Sequence, residues 1–413
     1  MRKLLISAAL TLTMIGGVTA SSATILTGKN ESINKKVEEK ISTMTLEEKV
    51  GQMMFYGVNG TNVDDKVLNL FEDQHVGGII LYGYRNFWGS SLDNNVKYVN
   101  SIKKANRQNS DIPLFIGFDE EGGSMSQLPQ ELMRTPSKGE LGNTNDSSLA
   151  TGIGAGTAKK LKLLGINTDF GTVLDINTNK NNPIIGVRSY GSTKEKVTEF
   201  GINELKAIQN EGVIPTVKHF PGHGDTEVDS HLGLPSLNHD LNRLKSTELV
   251  PFQTAINNGV EMVMTAHIML PQIDKEYPAT MSKKILTDLL RDEMGYKGVI
   301  ITDDLEMQAI SKNWDLGEAA IKSVEAGADI LLVCHTIENQ QKVYNAVVQG
   351  VNDGKIDENR IDESVRRILR LKYQYKLSDK ANNPTQDDIN NVNGFIYESI
   401  QKYNSKVVEA MYK

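Results

Sequence analysis

Short apolar, β-branched runs alternate along the chain with longer segments of helical period. Eight runs predict strands: 52–57 (QMMFYG), 76–83 (VGGIILYG), 113–118 (PLFIGF), 166–176 (INTDFGTVLDI), 213–220 (VIPTVKHF), 261–268 (EMVMTAHI), 298–303 (GVIITD) and 328–335 (ADILLVCH). Several are near-continuous rather than alternating, which suits strands buried on both faces of a parallel sheet. Between them, Thr45 and Glu48 form a capping box that opens LEEKVGQ, and residues 92–108 place Leu92, Val96 and Val99 on one face. SKKILTDLLRDEMG starts with Ser282 as N-cap and ends at Gly295, and IDESVRRILRLK (361–372) forms a last helix. Eight strands interleaved with helices predict an α/β fold, a (β/α)8 TIM barrel forming a single catalytic domain over 45–373. The rival is a doubly wound open sheet, against which stands the lack of a glycine-rich loop after the first strand. Residues 21–44 read as a lead-in, and 374–413 as a polar tail or capping helix.

Composition narrows the class. The 413 residues carry 45 Lys+Arg against 52 Asp+Glu, a net charge of −7, with no long basic run, so nucleic acid is not an expected partner. Cys334 is the single cysteine, which excludes an intramolecular disulfide and a cysteine-based zinc site. Arg2 and Lys3 precede the apolar stretch 4–18, and Val18-Thr19-Ala20 offers small residues for cleavage. Residues 1–20 therefore read as a secretory signal peptide, with a secreted or cell-surface protein and no stable membrane insertion after cleavage as the expectation. An uncleaved anchor is the other reading of that stretch. The oligomeric state is not legible.

Polar clusters follow the predicted strands: Asp119-Glu120-Glu121 after the third, Asp175 after the fourth, Lys218-His219 after the fifth, His267 after the sixth, Asp303-Asp304 after the seventh and Cys334-His335 after the eighth. In a parallel barrel all of these meet on one face, where active sites form.

The densest stretch, KHFPGHGDTEVDSHLGLP (218–235), holds His219, His223 and His231 with Asp225, Glu227 and Asp229. Its proline and glycines make it a loop, and Gly222, Gly224 and Gly233 are expected to let it close over a substrate. His219 and His223 have the spacing of paired zinc ligands on a helix, but Pro221 and Gly222 forbid that helix, so a metal-dependent hydrolase would need a loop site. In the other reading Asp229 fixes the tautomer of His231 for acid/base work. Asp303 and Asp304 at a strand end either serve chemistry or pair with a base such as Lys218. Tyr190 and Trp314 either stack on a ligand ring or pack in the core.

Six collinear motifs carry a resemblance: GGIILYGYRN, FDEEGG, NPIIGVRSYG, the 218–235 loop, MTAHI with TDDLEM, and IDESVRRILRLK. Over about Thr45 to Lys372 the chain resembles the β-N-acetylglucosaminidases (β-N-acetylhexosaminidases) of glycoside hydrolase family 3. The resemblance implies a carbohydrate substrate, with terminal β-linked N-acetylglucosamine removed from peptidoglycan fragments or chitooligosaccharides. It implies Asp303 as nucleophile, Asp229 and His231 as the acid/base dyad, and Asp119, Arg188, Lys218 and His219 as contacts to the terminal sugar. It implies no cofactor and no metal. Asp303 would stay ionised near Lys218. Ser124 and Gln127 stand where the family has two arginines, the second of which resembles a sugar-hydroxyl contact. That departure leaves the reaction class intact and the preference for this sugar open. A catalytically weak sugar- or wall-binding protein on the same fold is the alternative it suggests.

Overall fold

The computed structural model describes residues 31–411, with side chains through 406. The predicted signal segment lies outside the described residues. Eight strands form, each inside one predicted run: β1 (Met54–Gly57), β2 (Gly78–Leu81), β3 (Phe115–Phe118), β4 (Thr168–Val173), β5 (Ile214–Phe220), β6 (Met262–Thr265), β7 (Val299–Ile301) and β8 (Leu331–Val333). All seven ladders are parallel, and β1 lies between β2 and β8. The last seam is a parallel bridge of Ile301 with Ile330, where the Thr302 amide donates to the Ile330 carbonyl at 3.0 Å. The sheet thus curls into the expected (β/α)8 barrel rather than an open doubly wound sheet.

Large and small residues fill the interior by turns. Phe55 meets Phe170 edge-on at 5.3 Å between ring centroids. Gly78 and Gly117 leave room for that pair, because a Cβ on Gly117 would lie 2.5 Å from the Phe170 ring and one on Gly78 2.6 Å from the Phe55 ring. Complementary volumes of this kind are what a filled barrel requires.

The helices outside begin where capping chemistry places them. The Thr45 hydroxyl accepts the Glu48 amide at 3.2 Å and the Glu48 carboxylate accepts the Thr45 amide at 2.9 Å, the reciprocal box expected at Leu46–Gln52. Leu92–Asn109 buries Leu92, Val96 and Val99 as its spacing predicts. Ser282 departs from expectation. It is buried, and its hydroxyl donates to Asp274 at 2.6 Å instead of capping the helix Lys284–Glu293, whose first turn has no side-chain cap. Gly295, at φ +73, ends that helix.

The helix Gln386–Met411 lies against Ser148–Leu163, with Ile396 fully buried. Gly156 allows the approach, since a Cβ there would sit 2.8 Å from Ile396. Among the described residues, no helix is long and apolar enough to cross a membrane.

Candidate active site

The carboxyl ends of the strands enclose a cavity of about 260 Å3, lined among others by Asp119, Glu121, Arg188, Lys218, His219, His231 and Asp303. The lining thus includes every candidate site residue except Asp229, which reaches it through His231.

One wall is a chain of buried ion pairs. Arg188 grips Glu121 with two bonds of 2.7 Å, and Lys218 bonds Glu121 at 2.7 Å and also donates to Asp119. Burial alone would raise the Glu121 carboxyl, but Arg188 and Lys218 hold it well below the usual range. Burial would lower Lys218, yet Asp119 and Glu121 keep its ammonium charged and raise its pKa. Asp119, pushed up by burial and by the Glu121 charge against the pull of Lys218, keeps about a third of its side chain exposed toward the cavity. Glu120 points the other way, into a buried pair with Lys160 at 3.1 Å, and pins the loop that carries its two neighbours.

The histidine loop separates into distinct roles. Asp175 accepts His219 Nδ1 at 2.6 Å and the His223 amide at 2.6 Å. His219 Nε2 lies 3.4 Å from Arg188, which fixes the ring at the cavity wall. His223 bonds Thr226 at 2.7 Å and Ser230 at 3.1 Å, and burial lowers its pKa to about 4, so it is neutral. Both ring nitrogens of His219 and of His223 are therefore engaged. Among the described residues no three His, Cys, Asp or Glu side chains are grouped to hold a metal ion. Through Ser230, His223 anchors the turn that carries Asp229 and His231. Asp229 accepts both the backbone amide (2.9 Å) and Nδ1 (2.7 Å) of His231, whose side chain is 58% exposed. A carboxylate only accepts, so Nδ1 bears the hydrogen and Nε2 remains for proton exchange. Two of the glycines are required by fit. Gly222 takes φ +130, and a Cβ on Gly224 would strike the Ile176 carbonyl at 1.8 Å.

The acid pair after β7 is also resolved. Asp304 accepts the amides of Cys334 and Glu306 at 3.1 Å and pairs with His335 at 2.8 Å, so its carboxylate builds the loop. Asp303 accepts the Asp304 amide at 2.8 Å and borders the cavity. Burial would raise Asp303, but His267, His219, the Asp304 amide and His231 lower it, so it is ionised. The expected partner of Asp303, Lys218, is instead committed to Asp119 and Glu121. Tyr190 is core, packed on Phe200 at 5.3 Å, and Trp314 packs partly buried against the core away from the cavity. The aromatics at the cavity are Tyr82 and Tyr84, which the sequence offered only as part of the GGIILYGYRN motif. Gln127 lines the cavity while its amide oxygen accepts the Gly83 amide at 3.0 Å.

The model of the glycosyl hydrolase family 3 N-terminal domain matches residues 45–371. The chain belongs to glycoside hydrolase family 3. It is similar to a β-N-acetylglucosaminidase of that family from Paenibacillus sp. FPU-7, with TM-score 0.80 and 40% identity over 86% of this chain and 68% of that one. It is 34% identical over 351 residues to β-hexosaminidase A of Pseudoalteromonas piscicida, covering 77% of this chain and 56% of that protein. It is 32% identical over 333 residues to a secreted glycosyl hydrolase of Arthroderma benhamiae, covering 79% and 93%. The chain thus spans little more than half of the Pseudoalteromonas protein.

Proposed function

We propose that this family 3 protein is an exported retaining β-N-acetylglucosaminidase that removes terminal N-acetylglucosamine from peptidoglycan fragments or chitooligosaccharides. The observation that carries the reading is an ionised Asp303 and an Asp229-bonded His231 bordering one small cavity. Asp303 attacks the anomeric carbon while His231 Nε2 delivers its proton to the departing oxygen, leaving a glycosyl-enzyme ester. His231, now neutral at Nε2, takes a proton from the attacking water, and Asp303 leaves as carboxylate. Asp119, Lys218, Arg188 and His219 hold the sugar hydroxyls. The Asp119–Lys218 pair and the bonds to Glu121 and Asp175 arrange them before substrate arrives, which lowers the cost of ordering on binding. The β-hexosaminidase and β-N-acetylglucosaminidase names of the relatives support the sugar, and the secreted Arthroderma relative supports export.

The test is a panel of chromogenic β-glycosides. The N-acetylglucosaminide should be cleaved faster than the glucoside and the xyloside, with release lost in Asp303→Ala. Binding of N-acetylglucosamine without turnover of any member would instead mark a sugar-binding protein.

A further inference from the structure

A cavity of about 260 Å3 is smaller than the roughly 300–1,000 Å3 usual for drug-sized ligands and suits a single sugar ring. The rest of an oligosaccharide must then lie across the rim. That rim carries most of the exposed large apolar side chains. Among the described residues, six of the seven exposed large apolar side chains stand on the loops after β2 to β5: Tyr84, Trp88, Met125, Val187, Val228 and Leu232. Two of the six are aromatic, and they are neighbours. Tyr84, 48% exposed, borders the cavity, and Trp88, 63% exposed, meets it at 6.3 Å between ring centroids.

The turn that carries them is firmly held. The Trp88 amide donates to the Gly83 carbonyl at 2.7 Å, closing one wide turn over Gly83–Phe87. Wide turns of this kind recur at functional sites. Asn86 turns inward, accepting the Tyr82 amide at 2.8 Å and donating to the carbonyls of Val58 and Gly60 at 3.1 and 2.9 Å. Phe87 is buried and stacks on Phe118 at 5.5 Å. Arg85 lies against the Tyr84 ring at 5.1 Å and is itself tied to the Cys334 carbonyl at 2.6 Å. Inward residues thus anchor the turn while Tyr84 and Trp88 are presented to solvent. Leaving two large rings exposed forgoes the stabilisation that their burial would give. A ligand with an apolar face recovers it.

We propose that Tyr84 and Trp88 form the platform for the leaving sugar, the pyranose ring bonded to the terminal residue, whose C–H face packs on their rings. This rests on the glycosidase reading above and adds to it a determinant of preference for oligosaccharides. Turnover of chitotriose and of N-acetyl-β-glucosaminyl fluoride separates the two ideas, because fluoride is too small a leaving group to touch either ring. In Tyr84→Ala or Trp88→Ala, the ratio of kcat/KM for chitotriose to that for the fluoride should fall about tenfold, or about 1.4 kcal/mol. Tyr84→Phe, which keeps the ring face, should retain the wild-type ratio. An unchanged ratio in both alanine variants, whether both substrates slow equally or neither slows, overturns the platform alone. Failure of the wild-type enzyme on both substrates overturns the glycosidase reading beneath it.

Discussion

Two adjacent carboxylates end the β7 segment, and their hydrogen bonds divide the labour. Both line the cavity, but Asp304 spends its oxygens on the Cys334 and Glu306 amides and His335, whereas Asp303 accepts one backbone amide. Asp303→Ala should cost about 10^4-fold or more in turnover, as loss of a nucleophile does. Asp304→Ala should leave a measurable rate, because the bond that orients Asp303 comes from the Asp304 main chain and survives the substitution. Trapping with a fluorinated sugar followed by peptide mapping checks the assignment, and a label on Asp304 would reverse it. His231→Ala should slow a natural disaccharide about 10^2- to 10^4-fold, the usual range for a general acid, but a dinitrophenyl glycoside far less in its first step. Asp229→Ala should repeat the pattern more mildly. Equal slowing of both substrates would mean that His231 positions the sugar and the acid lies elsewhere. The candidate residues were legible in the sequence because strand ends in a parallel barrel must converge. How two neighbouring acids that both line the cavity divide their bonds was not, because that division depends on Cys334 and His335, thirty residues away. The separate task of His223 depends in the same way on a fold of its own loop onto Ser230.

At the level of elements, the loop after β3 shows how a strand end is aimed. Asp119 and Glu121 line the cavity while Glu120, between them, is drawn the other way to Lys160 on the helix Ser148–Leu163 and accepts the Ser126 hydroxyl at 3.0 Å. Both members of the Glu120–Lys160 pair are essentially unexposed. Lys160→Met should therefore cost about 3–5 kcal/mol, the penalty for leaving one charge of a buried pair uncompensated. Glu120→Leu with Lys160→Met should recover part of that stability while still weakening substrate binding, because the loop loses its anchor. Chemical denaturation of the single and double variants, with KM beside it, checks both halves. A double variant no more stable than the single would mean that the pair contributes packing rather than charge compensation. Strand positions were readable from apolar runs alone, since burial on both faces leaves a continuous signature. Helix starts were readable only where the cap is local, as at Thr45. Ser282 carries the same local signal but is buried beside Asp274, and the tertiary partner prevails over capping. The wide turn at Gly83–Phe87 had no sequence pattern to announce it.

The whole molecule is closed from below by a single amine. Lys372, near the end of the helix Glu358–Gln374, is fully buried and donates to Gln52 of the first barrel helix and to the Gly77 carbonyl before β2, both at 2.8 Å. Its Nζ also lies 4.7 Å from the Phe115 ring of β3. One side chain thus joins the last barrel helix to the first barrel helix and to the underside of two strands, a long-range arrangement that no local pattern in the sequence could reveal. Burial pulls its pKa from 10.5 down to about 7, against a weak opposing pull from Asp379. The unfolded chain therefore binds more protons than the folded one between these two values. Stability from this group rises with pH across that window, by at most about 1.4 kcal/mol per pH unit, and is lost as pH falls through about 7. Lys372→Met removes the titration. Gln52 then loses one donor, while the Gly77 carbonyl keeps the Phe115 amide at 3.1 Å. The stability of the Met variant relative to wild type should be most favourable below pH 7 and should decline steadily as pH rises toward 10. Urea denaturation of both proteins at matched pH values measures that difference and cancels the titration of every other group. A difference independent of pH would mean that the amine keeps one protonation state throughout, and that the barrel floor tolerates a buried charge.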